Sequence, residues 1–155
     1  MATLRLFCGL PGSGKSTVAR IVADEEGGVV LSPDQWLHAL GLDGHDAAAR
    51  ARIEQLQWEH SQELLQQHVS VILEFGFWAR TERDEKRQRA RELGVQVELW
   101  FLDDGLDVLW ARVERRNAAA LPGTWPVARG DFLAWAEQFE PPDADELALY
   151  DGGDA

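Results

Sequence analysis

Residues 9–16 read Gly-Leu-Pro-Gly-Ser-Gly-Lys-Ser, the spacing G-x-x-x-x-G-K-[ST], between an apolar run and a helical stretch. Glycines at this spacing let the backbone wrap closely and point its N–H groups at one centre. The start of the following helix adds the positive end of its dipole. Such a nest suits an anion with several oxygens, above all a nucleoside triphosphate. The expected contacts are Gly12, Ser13, Gly14, Lys15, Ser16 and Thr17. Lys15 is placed to reach the β- and γ-phosphates, and the Ser16 hydroxyl to ligate Mg²⁺. Lys15 is one of only two lysines in the chain, so a lysine-rich surface does not explain it.

A second set of residues faces this loop from later segments. "SPDQW" follows an apolar run and brings Asp34 within one short loop of the phosphates. A carboxylate there can accept the proton of an attacking hydroxyl and hold it in line. "VILEFGFW" ends another apolar run at Glu74. That carboxylate can hold Mg²⁺ through water, bind substrate, or cap a turn, and the three roles stay open. Phe75, Phe77 and Trp78 surround Gly76, and Trp36 lies near Asp34; the aromatics suit either an apolar wall for an acceptor or core packing. Arg112 and Arg116 stand one helical turn apart just before a loop, where they can swing over the phosphates as lid arginines. Arg80 and Arg83 lead an Arg-rich helix and are candidate substrate contacts.

These residues need a scaffold, and the periodicity supplies one. Apolar strands are expected at 3–8, 29–32, 69–75 and 95–102. Helices are expected at 15–26, with Val18, Ile21 and Val22 inward, and at 33–40. A long helix over 46–67 is expected to bury Ile53, Leu56, His60 and Leu64, with Trp58 and Leu65 flanking. A helix over 81–94 carries a T-x-x-D capping box at Thr81 and Asp84. Helices at 107–117, with Leu106, Leu109, Trp110 and Val113 inward, and at 128–139 follow. The stretch from Glu140 leaves the core, with a short strand at 147–150. Alternation of this kind predicts an α/β fold with a parallel sheet and right-handed connections. Ligands in such sheets bind beyond the carboxyl ends of the strands, where the polar residues fall.

The chain has 155 residues and a formal net charge of −12, a poor field for attracting nucleic acid. Six of its 27 acids lie in residues 140–155, a stretch without Lys or Arg. The opening apolar run is too short for a leader, and no stretch approaches the roughly 20 apolar residues of a membrane helix. The single cysteine, Cys8, fits a reducing cytoplasm and reads as a small buried residue. His38, His45 and His68 show no zinc spacing, and Trp125 is a candidate lid contact.

With these motifs in place, the sequence resembles the P-loop kinases of the polynucleotide-kinase, zeta-toxin and chloramphenicol-phosphotransferase type over roughly residues 3–117. The resemblance rests on GLPGSGKST, SPDQW, VILEFGFW with its Arg-rich helix, and DDGLDVLWARVERRN. It implies a phosphate loop at Lys15 and Ser16, a catalytic Asp34, and lid arginines Arg112 and Arg116. Polynucleotide kinases often carry a basic residue after the catalytic Asp, where this chain has Gln35, Trp36 and Leu37, and their third strand often ends in Asp rather than Glu74. The expected fold is a three-layer α/β/α P-loop NTPase of one domain, with four or five parallel strands, a lid region over about 112–128 and an acidic tail over 140–155. The expected activity is ATP-dependent phosphoryl transfer to a hydroxyl of a small molecule. A 5′-hydroxyl polynucleotide kinase and an ATP-binding regulatory module without an acceptor are the alternatives.

Overall fold

The computed structural model describes residues 1–122 and 124–153. Its strands are β1 (Thr3–Cys8), β2 (Val29–Leu31), β3 (Val71–Gly76) and β4 (Gln96–Phe101). All pair in parallel, in the order β2-β3-β1-β4. The helices are α1 (Lys15–Glu26), α2 (Pro33–Ala39), α3 (Ala47–Gln66), α4 (Arg80–Glu92), α5 (Leu106–Ala119), α6 (Arg129–Gln138) and α7 (Ala144–Leu147). The result is the α/β P-loop NTPase fold.

Strand alternation sorts the core. Leu4, Leu6 and Cys8 face one side of β1 and pack with Trp58 and Leu65 of α3 and Ala90 of α4. Phe7 and Ile72 face the other side, against Ala19 and Val22 of α1. Helices thus cover both faces, the condition that keeps a parallel sheet buried. Arg5 also lies in this central strand, 6% exposed. It stands opposite Glu98 in the register, bonds that carboxylate at 2.8 Å, and bonds Glu26 of α1 at 2.6 Å. A charge is tolerated there because it is paired on two sides.

Several local expectations are corrected. In α3 the buried positions are Ile53, Gln57, Trp58, Ser61 and Leu65, while Leu56 is 56% exposed and His60 is exposed. An apolar count misplaces this face because Gln57 and Ser61 are polar yet buried, Gln57 Nε2 donating to the Ser32 carbonyl and Ser61 Oγ to the Trp58 carbonyl, while Gln57 Oε1 has no partner among the described residues. Ile21 and Leu106 likewise point outward. Helix α4 starts from Ala79 without a side-chain cap, and Asp84 pairs with Arg80 and Arg87 instead of forming a capping box. Residues 147–150 are not a strand, and the tail does not leave the core. After α7, Tyr150 is buried, and the Asp151 and Gly152 backbone bonds the β4 edge at Val97 and Leu99.

Candidate active site

The phosphate loop links the carboxyl end of β1 to α1. Gly9 sits in it with both backbone groups held: its N–H donates to the Gly76 carbonyl at 2.9 Å, and its carbonyl accepts from the Trp78 indole at 3.2 Å. Lys15 folds back over the loop and donates to the Gly9 and Leu10 carbonyls, both at 3.0 Å, and to Ser13 Oγ at 3.3 Å. Burial of its ammonium lowers its pKa to about 8, against the opposing pull of Glu74 and Asp34. Ser16 donates its hydroxyl to Glu74 Oε1 at the end of β3. Burial holds Glu74 above the usual carboxylate range, countered by the Ser16 and Lys15 donors.

Asp34 lies in the first turn of α2. Ser32 caps that helix by accepting from the Gln35 N–H, and Pro33 opens it at a favoured position. Two residues of α3 hold this turn. Arg50 Nη2 reaches Asp34 Oδ1 at 2.5 Å and the Gly44 carbonyl at 3.1 Å, and Gln57 Nε2 donates to the Ser32 carbonyl at 3.1 Å. Glu54, one turn beyond Arg50, is pushed up to about 7, first by burial, with Glu82 and Asp34 adding to the rise and Arg50 and Lys86 opposing it. Arg50, Glu54, Gln57 and Ser61 thus form a polar stripe at helical spacing beside the Asp34 turn. An apolar count misses this stripe, although its spacing is visible once Gln57 and Ser61 are counted with Ile53.

From the other side, Arg112 of α5 donates to the Gly12 carbonyl at 3.2 Å and to Asp104 at 2.7 Å. Arg116 faces Lys15 closely enough to disfavour its charge. Its Nε is buried without a hydrogen-bond partner among the described residues. The loop from α5 to α6 brings Trp125 against the α2–α3 loop, so close that a Cβ on Gly44 would fall 2.0 Å from its ring.

Lys15, Ser16, Glu74, Asp34, Arg112 and Arg116 therefore gather at one end of the sheet. Phe77 and Arg83 do not join them. Phe77 is 2% exposed and belongs to the main core. Arg83 is fully buried in a two-bond pair with Glu146 of α7, at 2.6 and 2.9 Å, so it serves the scaffold. Trp36 is half-buried against the main core, and Arg80 turns to Asp84 on its own helix. Cys8 is buried and its thiol is pushed up to about 12 by desolvation, so it is not a reactive thiolate.

Ser16 and Glu74 offer oxygens alone, a donor set that fits Mg²⁺. Among the described residues no cluster of three or more His, Cys, Asp or Glu side chains could form a full protein cage.

Comparison with known proteins bears on the family and the fold. The AAA_33 family model, described as an AAA domain, matches residues 4–142. No curated protein matches the chain in sequence. A candidate kinase of Chloroflexus aurantiacus is 20% identical, with a TM-score of 0.74 over 99% of this chain and 88% of that one. Kti12 of Chaetomium thermophilum, solved with ADP-AlF3, is 15% identical, with a TM-score of 0.73 over 98% and 88%. The APS kinase CysC of Mycobacterium tuberculosis, solved with AMPPNP and APS, is 27% identical, with a TM-score of 0.58 over 77% and 73%.

Proposed function

The chain belongs to the AAA_33 family of AAA domains, and from that premise we propose that it is an ATP-dependent phosphotransferase acting on a hydroxyl of a small molecule. One observation carries the reading: Asp34 faces the Lys15–Ser16–Glu74 group and is held there by Arg50. A phosphate loop that only bound nucleotide has no need of a clamped carboxylate opposite it. The APS kinase relative, solved with both AMPPNP and APS, supports a kinase reading.

In this mechanism the loop N–H groups and Lys15 bind the β- and γ-phosphates. Ser16, with Glu74 beside it, would hold Mg²⁺, which when bound would supply charge neutralisation at the phosphate oxygens. The acceptor oxygen attacks the γ-phosphorus while the bond to the β-phosphate oxygen breaks. Asp34 takes the hydroxyl proton, and ADP leaves. Arg112 and Arg116 stabilise charge spreading over the transferring group. Arg50 keeps the Asp34 carboxylate aimed, so little reorganisation is needed at the moment of transfer.

The test is transfer of labelled γ-phosphate from ATP with Mg²⁺ to a pool of hydroxylated small molecules and, separately, to a 5′-hydroxyl oligonucleotide. Label on a small molecule, reduced on the order of 10²–10⁴-fold by Asp34→Ala with nucleotide affinity kept, is the expected result. Label on the oligonucleotide alone overturns the acceptor class. Equal loss of turnover and nucleotide affinity in Asp34→Ala overturns the role of Asp34.

A further inference from the structure

We propose that Trp78 is a positioning residue of the phosphate loop, whose indole N–H keeps the Gly9 carbonyl satisfied when Lys15 leaves it for a nucleotide phosphate. This rests on the reading of Lys15 as a phosphate ligand.

The Gly9 carbonyl is buried and accepts two donors, Lys15 Nζ at 3.0 Å and Trp78 Nε1 at 3.2 Å. A carbonyl oxygen has two lone pairs, so both bonds form together. Binding of a triphosphate draws Lys15 away. A buried carbonyl stripped of all donors carries a desolvation cost, and nucleotide binding would have to meet it. With Trp78 in place one donor remains. Without that N–H, Lys15 is the last partner of Gly9, and the resting position of the lysine competes directly with ATP.

The indole is held where this role needs it. Gly76 adopts φ 87, a conformation that side chains rarely take, and a Cβ there would crowd Trp78 Nε1 at 3.2 Å. Phe77 follows with φ 48, a left-handed conformation that a bulky residue adopts only when its surroundings impose it. They do: Arg83 Nη1 donates to the Phe77 carbonyl at 2.8 Å, and the buried Glu146 carboxylate fixes the Arg83 guanidinium. The Trp78 carbonyl accepts from the Glu140 N–H at 2.8 Å. The Trp78 ring packs on Trp135 of α6, with centroids 5.7 Å apart. The tail and α6 therefore reach the phosphate loop through one side chain.

The test is titration of the purified protein with MgADP and MgAMPPNP, comparing Trp78→Phe, Trp135→Leu, Lys15→Met and the double variant Trp78→Phe/Lys15→Met. Trp78→Phe keeps a ring and loses the donor, and it is expected to weaken both nucleotides roughly tenfold. Trp135→Leu removes packing that helps hold the indole and keeps the donor, and it is expected to weaken both nucleotides less than Trp78→Phe does. In the Lys15→Met background, Trp78→Phe is expected to add no further loss, because no lysine remains to be released. Unchanged affinity in Trp78→Phe overturns the proposal. So does a tenfold loss that persists in the Lys15→Met background, which marks a distorted loop. If Lys15→Met itself binds nucleotide as tightly as the native chain, the phosphate-ligand reading fails and takes the proposal with it.

Discussion

Lys15 gives the site a pH signature with a definite sign. Burial lowers its pKa to about 8, so its ammonium is charged below that pH and neutral above it. In the free protein, capture of ATP therefore weakens as pH rises through about 8. In the ATP complex the phosphates hold the proton on, so turnover at saturation stays flat there. The expected result is a falling limb near pH 8 in kcat/KM for ATP, absent from kcat and absent from Lys15→Arg, whose guanidinium does not titrate. A limb shared by kcat, or retained in Lys15→Arg, assigns it to another group. Lys15, Ser16 and Asp34 were legible in the sequence because each lies within two residues of a strand or loop whose backbone fixes it. Arg50 and Gln57 were not, because their targets, Asp34 and Ser32, lie 16 and 25 residues away. Trp78 was read only as a ring, and its N–H acquires meaning from Gly9, 69 residues earlier.

Apart from α7, which stands where a strand is expected, helices and strands emerge from periodicity almost at their observed bounds, although the buried face of α3 does not. Failures came where one element answers to another. Arg83 reads as a free cation at the head of an Arg-rich helix until α7 returns Glu146 to it from 63 residues away. The same long return turns an apparently loose acidic tail into part of the scaffold. A large stability effect follows, because a buried pair protects poorly against loss of one partner. Glu146→Ala leaves the fully buried Arg83 guanidinium unpaired and is expected to cost about 3–5 kcal/mol in urea unfolding. The double change Arg83→Met/Glu146→Leu, with two apolar chains in place of two charges, is expected to recover most of it. A small loss in Glu146→Ala shows that α7 docks by its apolar contacts alone, and no recovery in the double variant assigns the loss to the Arg83 bonds with the Phe77 and Trp78 carbonyls.

Taken whole, the molecule is strongly acidic, with a net charge of −12, yet several cations stand around one cleft. Arg112 and Arg116 stand over the phosphate loop, and Arg50 is engaged by Asp34. Those charges suffice for a nucleotide whose phosphates lie within a few ångströms. The net charge of −12 is a poor field for attracting a polyanion. The two acceptor classes therefore part in their response to salt. Binding through several phosphates releases counterions and falls by orders of magnitude between about 50 and 200 mM salt, whereas a small hydroxylated acceptor held by hydrogen bonds has no such dependence. At saturating ATP, the KM for the acceptor is expected to change less than about threefold over that range. A steep rise would place the acceptor among polyanions despite the charge of the chain, and would direct attention to Arg80 and the exposed face of α4 as the surface that receives it.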